Sequence, residues 1–241
     1  MKFILSLLAI FTWLTATYAQ EVTNKHSSSW NTFTITSDIN AQYAIKSEFH
    51  FRRTNFSADW EQFVLRPSIH YKLNKTLTIA FGYSFIENFS YSNFSTPIDA
   101  TEHNIWQQLI IKQPFKKFGL THRIRFEERF MANIIQQTEQ FSTDGYNYQN
   151  RLRYRFITTI PLISFTQQQQ LNLIAYDEVF LNFEKGLLPK SFPQNWIFLG
   201  LGFQINSKTQ IKSGYHDIYV NKNNHTHIIN HIWETTVTYK I

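Results

Sequence analysis

Two short stretches of the chain hold most of its arginine, and they hold it at alternate positions. In the first, Arg123, Arg125, Glu127 and Arg129 alternate with Ile124, Phe126 and Glu128 and lead to Phe130. In the second, Arg151, Arg153 and Arg155 alternate with Leu152, Tyr154 and Phe156. A guanidinium is a planar fork that grips carboxylates and phosphates through two parallel hydrogen bonds. Alternate spacing in an extended chain puts each row on one face. The available chemistry is therefore of two kinds. Arginine–glutamate pairs between neighbouring strands could fix register and fill an interior. Unpaired arginines in a confined space could instead attract anions. Glu48, Arg52, Arg66, Glu102 and Glu178 have the same inward parity on other segments, as do His50, His70, Lys212, His216 and Glu234.

Other candidate chemistry is weaker. Asp217 and His231 fall on the two arms of the last predicted hairpin, where a hydrolase acting on lipid could keep an acid and a base. Ser213 shares their parity but lies about 13 Å along the strand from Asp217, too far for a nucleophile. His103, Asp177, Asp217 and His231 read instead as interfacial polar residues. His225-x-His227 with His231 could ligate a metal, but a solvated loop is the simpler reading, and no metal or cofactor is assigned. Asn-x-Ser/Thr matches at Asn55, Asn88, Asn93 and Asn224 read as chance. Neither a Gly-x-Ser-x-Gly elbow nor a phosphate-binding glycine loop is present. No catalytic residue is assigned.

The elements that must position these charges are strands. Leu77, Ile79, Phe81, Tyr83 and Phe85 share one face, and Thr78, Ala80, Gly82 and Ser84 the other. The same alternation runs through Phe63–Tyr71, Ile197–Ile205 and Trp233–Ile241. It predicts strands at about 30–37, 41–53, 61–72, 76–88, 103–113, 118–132, 147–160, 169–183, 195–205, 209–221 and 228–241. Short connections alternate with longer polar ones around Thr54–Trp60, Phe89–Glu102, Asn133–Tyr146, Glu184–Gln194 and Lys222–His227. Short turns on one side and long loops on the other are the plan of outer-membrane barrels. Such barrels have an even strand number, so Glu21–Ser29 is expected to form a poor twelfth strand, with ten strands as the alternative. With the apolar set facing lipid, Phe81, Tyr83, Leu199, Leu201 and Tyr239 point out, and Ser84, Gly202 and Thr238 point in. The charges then line the lumen. An arginine or lysine on the lipid face near the midplane would cost about 2–4 kcal/mol.

Composition agrees. Aromatic residues make up 17% of 241 residues, yet mean hydropathy is −0.31; many rings on a polar chain suit a wall between lipid and water. The net charge of +6 does not imply a nucleic-acid partner, because the basic residues alternate along strands and form no solvated stripe. The chain has no cysteine, hence no disulfide framework, thiolate metal site or lipoprotein anchor. Lys2, the apolar run Phe3–Leu14 and Thr17-Tyr18-Ala19 predict a secretory signal over residues 1–19, cleaved after Ala19. That leaves a barrel over 20–241. The apolar run is shorter than the roughly 20 residues of a spanning helix.

The motifs Trp106-Gln107-Gln108, His122-Arg123-Ile124-Arg125-Phe126-Glu127-Glu128-Arg129-Phe130, Arg151-Leu152-Arg153-Tyr154-Arg155, Gly200-Leu201-Gly202-Phe203 and Gly214-Tyr215 occur in that order. In them the chain resembles a family of bacterial outer-membrane β-barrels catalogued as a domain of unknown function. The resemblance covers essentially all of the mature chain. It implies a barrel, and no activity, substrate or catalytic residue. Where that family often has an arginine before the Gly-Leu-Gly strand, this chain has Trp196 and Phe198, so one lumen charge is expected to be missing. The combined expectation is an all-β, antiparallel, up-and-down barrel in the cell outer membrane, non-enzymatic, either a narrow anion-attracting pore or a structural barrel. Its expected partners are outer-membrane lipid, the barrel-assembly machinery that reads the last strand, and small anionic solutes. A lipid-modifying hydrolase, and an adhesin acting through the loops at 89–102 and 133–146, are the alternatives.

Overall fold

A computed structural model of the chain describes residues 22–183, 191–223 and 226–241. The expected signal over 1–19, most of the 184–194 connection and His225 lie outside the described residues. The described chain folds into eleven strands: β1 (Val22–Asp38), β2 (Tyr43–Thr54), β3 (Asp59–Lys72), β4 (Leu77–Asn88), β5 (Ala100–Pro114), β6 (Gly119–Gln137), β7 (Gln140–Ser164), β8 (Gln170–Phe183), β9 (Ser191–Gln204), β10 (Thr209–Asn223) and β11 (Thr226–Lys240). Neighbours in sequence are neighbours in space, and β1 meets β11 to close the barrel.

The wall is all-β and closed, but it has neither twelve strands nor ten. An odd number of up-and-down strands must close on one parallel pair, and β1 and β11 are that pair, with Ser28 opposite Ile232, Thr32 opposite Thr236 and Thr36 opposite Lys240. Residues 22–29 add no twelfth strand; they lengthen β1. After Val22 they are all polar and show no apolar alternation, so only their pairing with β11 reveals them as wall. The other ten pairings are antiparallel.

A second difference concerns the long connections. Residues 133–146 do not form an open loop. β6 and β7 stay paired out to Gln137 and Gln140, so this stretch is a protruding hairpin turned at Thr138, whose φ is +59°. Water on both faces removes the apolar alternation that marks a half-buried strand, so the hairpin is silent in sequence. The connection after β2 is also tight, with a single helical turn at Asn55–Ser57. The connection 89–99 is a true loop, and it folds over the barrel mouth. His26, Tyr91 and Phe94 pack there, with His26 5.0 Å from Phe94 and 5.9 Å from Tyr91 between ring centroids.

The pleat distributes side chains as alternation predicts. Phe81 is 52% exposed and Leu199 55%, whereas Ser84 is 1% exposed. Gly82 leaves room for a neighbour: a Cβ there would lie 2.2 Å from the Trp106 ring, so the indole occupies the space a side chain would take. The distribution is inverted relative to a protein folded in water. Large apolar side chains cover the outside, and most of the arginine and glutamate is inside.

Candidate functional site

The lumen is the candidate site, and it is built first by register. β6 pairs with β7 so that Arg123 faces Arg155, Arg125 faces Arg153 and Glu127 faces Arg151. β8 then places Glu178 opposite Arg155. Like charges side by side repel, and the carboxylates are seated where the two rows need them. Glu127 accepts from Arg151 Nε at 2.7 Å and from Arg153 Nη1 at 2.9 Å. Glu178 accepts from Arg123 Nη2 at 2.5 Å, from Arg153 Nε at 2.8 Å and Nη2 at 3.0 Å, and from Arg155 Nε at 2.8 Å and Nη2. Arg129 grips Glu102 with both arms of its fork, at 2.6 and 2.8 Å, and donates to Gln149. Glu127 and Glu178 are 1% and 0% exposed.

On the opposite wall Glu48 meets Lys46 at 2.5 Å and Arg66 at 3.4 Å. Glu234 takes Lys212 at 2.5 Å, His216 at 2.7 Å and the Tyr176 hydroxyl at 3.0 Å. Arg52 stands apart. It donates to Gln62 at 2.5 Å, and its guanidinium lies 3.7 Å from the Trp30 ring centroid. The charged residues given inward parity from the sequence lie on the lumen side, and the structure gathers Arg123, Glu127, Arg151, Arg153, Arg155 and Glu178 into one hydrogen-bonded network. Arg125 is its neighbour, 3.8 Å from Glu127. Arg129 with Glu102, and Arg66 with Glu48, form separate pairs. Glu61 is a lumen acid that parity misplaces, because its odd position is that of outward Phe63 and Leu65; the β2–β3 register skips it between Gln62 and Trp60, and it accepts from the Trp30 indole at 3.0 Å.

Sequence reasoning missed the aromatic partition. Trp30 from β1 and Trp196 from β9 meet edge-on across the lumen at 5.5 Å. Phe180 packs on Trp196 at 4.8 Å. Arg153 lies 4.5 Å from the Phe180 ring and 5.3 Å from Trp196, within the range of cation–π attraction. Trp196 thus fills the place where an arginine was expected, and guanidiniums from β2 and β7 lie against it. Phe198 stacks flat on Tyr176 at 4.9 Å. This layer separates two chambers. One, of about 300 Å³, opens toward the 89–99 loop. The other, of about 400 Å³, extends toward Thr34, Gln210 and Thr238 near the short turns. Trp30, Arg52, Arg66, Arg153 and Trp196 line both.

The outer face offers less. His231 is 3.1 Å from Asp217 and 2.5 Å from the Tyr215 hydroxyl. Ser213 is bonded instead to Thr235, at 3.0 Å, so this pair has an acid and a base and no nucleophile between them. His103 sits between Tyr83 and Tyr146 in the same manner, at 2.5 and 3.2 Å. These are polar caps on an otherwise apolar wall.

No curated protein and no solved structure matches the chain. One family model, described as a protein of unknown function (DUF2490), matches residues 27–228, a span that runs from β1 into β11. With that match over most of its length, and with the barrel and its arginine rows inside the matched span, the chain belongs to the DUF2490 family.

Proposed function

We propose that the protein is a non-enzymatic outer-membrane β-barrel of a Gram-negative cell, exported through the secretory pathway with removal of residues 1–19. Its lumen is closed by the Trp30–Arg52–Trp196–Arg153 layer, so it acts as a plugged structural barrel in preference to an open pore. One observation carries this reading: the wall closes on itself with its large apolar side chains outward and its charges paired inside. In water, so continuous an apolar surface would aggregate. In a bilayer it is the surface that lipid requires, and closure leaves no unpaired strand edge in hydrocarbon. The last strand supports the same placement, because Trp233, Val237, Tyr239 and Ile241 form an outward ladder of the kind the assembly machinery reads.

Cell fractionation tests the placement. The mature chain, beginning after Ala19, is expected with outer membranes and extractable only by detergent. Recovery in the soluble periplasmic fraction without detergent would sink the reading. Planar bilayers test the plug: refolded wild-type protein is expected to show no steady conductance, and a stable open level would replace the plugged barrel by a pore.

A further inference from the structure

The salt-bridge network described above does not use all of the donors on the side chains that line the short-turn chamber. Arg125 is 3% exposed. Its Nε donates to Gln108 at 2.8 Å, and its guanidinium lies 4.1 Å from the Trp106 ring centroid. Its Nη1 has no hydrogen-bond partner, and Glu127 at 3.8 Å is beyond hydrogen-bond reach. Arg123 Nε and Arg52 Nε are enclosed and unpartnered as well, and so is the Trp196 indole nitrogen. All four side chains line the same chamber of about 400 Å³. The ring nitrogens left over there, on His50 and His216, take either role. No enclosed acceptor-only atom is left over among the described side chains lining that chamber.

Buried polar groups in native proteins are nearly always satisfied. An arginine N–H and an indole N–H can only donate. What is missing from this chamber is therefore an acceptor, and next to surplus guanidinium charge the fitting acceptor is an anion. The volume lies within the range of small-molecule sites and is far above the roughly 10–15 Å³ that one water needs.

We infer that the short-turn chamber is a binding site for a small oxyanion with two or more anionic oxygens, of the phosphate or dicarboxylate type. Arg125 is its principal anchor and Arg123 its neighbour, two residues along β6. Water could fill the same space, but water would leave the excess positive charge uncompensated. The plugged-barrel reading is not required. A conducting barrel could hold this anion, and a plugged one could lack it, so a binding failure and a conductance result are separately readable.

Isothermal titration of the detergent-refolded full barrel with inorganic phosphate, malonate and chloride, at low ionic strength, tests the site. Phosphate or malonate is expected to bind saturably and to raise the melting temperature, chloride much less, and the tighter of the two names the ligand class. Arg125→Gln is expected to weaken binding about 10- to 100-fold, the worth of a hydrogen bond to a charged group. Lys75→Gln, on an exposed turn, is expected to leave it unchanged. Arg125→Lys keeps the charge but removes the fork, and is expected to retain weak binding if Arg125→Gln proves unable to fold. Absence of saturable binding by either oxyanion up to about 10 mM overturns the site. So does equal binding by wild type and a folded Arg125 variant.

Discussion

Replacing Glu178 by Gln keeps the shape of the side chain and removes its charge. The wild-type carboxylate is wholly enclosed and receives five hydrogen bonds from three arginines. In the variant, one oxygen can still accept from Arg123 and Arg153. The other becomes an NH₂ group facing the donors of Arg153 and Arg155. Arg153 keeps Glu127 at 2.9 Å. Arg123 and Arg155 have no second carboxylate within salt-bridge distance among the described residues. Breaking a buried pair from one side costs about 3–5 kcal/mol. For a chain of this length that corresponds to a fall of about 6–20 °C in melting temperature. Glu127→Gln takes the carboxylate from Arg151 and from Arg125, 3.8 Å away, but Glu127 accepts fewer hydrogen bonds than Glu178, so its loss should sit at the lower end of the range. Glu102→Gln should cost less again, because Arg129 is also held by Gln149. Glu139→Gln, at the exposed tip of the β6–β7 hairpin, is the control and should cost almost nothing. Thermal melting of refolded barrels in detergent, followed by circular dichroism and by heat-modified gel migration, orders the four. If Glu178→Gln melts within a degree or so of Glu139→Gln, the network is fully hydrated. A dry, charge-paired lumen would then be ruled out.

Three further perturbations follow from the same geometry. Trp30→Ala combined with Trp196→Ala removes both rings of the partition and is expected to turn a silent protein into a conducting one in planar bilayers; continued silence would put the seal elsewhere. Gly82→Val drives a side chain into the Trp106 ring and should cost about 1–3 kcal/mol as an overpacked site, while Gly119→Ala, with nothing within 4 Å of its new Cβ, should leave the melting temperature unchanged. Asp38 lies at the short-turn rim beside Lys240 at 2.7 Å and Lys72 at 2.8 Å, and hydrogen bonds from Lys240, then Lys72, lower its pKa to about 2. A lowered folded value means the clip stabilises above the ordinary carboxylate pKa of about 4 and is lost as pH falls through 2. Asp38→Asn should therefore narrow the gap between neutral and acid stability, and high salt should have the same effect on wild type; an unchanged acid profile would show that the clip contributes nothing.

Alternation made the wall legible. A strand with lipid-type side chains on one face and Ser84, Arg153 or Glu178 on the other announces both its conformation and its orientation. A one-residue slip would turn all of its charges outward. The arginine rows were legible for the same reason. What stayed hidden lacked a two-sided environment. Asn24–Ser29 is polar on both faces, and the 133–146 hairpin is wet on both, so neither carries a period. The Trp30–Trp196 contact was hidden differently. It joins residues from strands that are not neighbours in the wall, and parity says which residues enter a lumen without saying which meet across it. Parity also does not single out Glu178, because its importance comes from facing two rows at once, which depends on the pairing of β7 with β8.

The parallel closure of β1 on β11 has a kinetic meaning. Thr32 and Thr236 are joined by about 200 residues of chain, and closing so long a loop costs roughly 2–3 kcal/mol more in chain entropy than closing a hairpin. The Glu127 and Glu178 pairs with Arg151, Arg153 and Arg155 lie instead within three consecutive strands. They join residues 23–26 apart. The expected order is therefore a curled sheet that neutralises its own arginines before it becomes a cylinder, with the first and last strands meeting at the end. Pulse-labelled hydrogen exchange during refolding should protect the amides of β6–β8 ahead of those of β1 and β11. Early protection at the seam would reverse that order. On this route the nascent sheet passes its greatest electrostatic hazard while still open to water, and the ring closes around arginine rows that already hold Glu127 and Glu178.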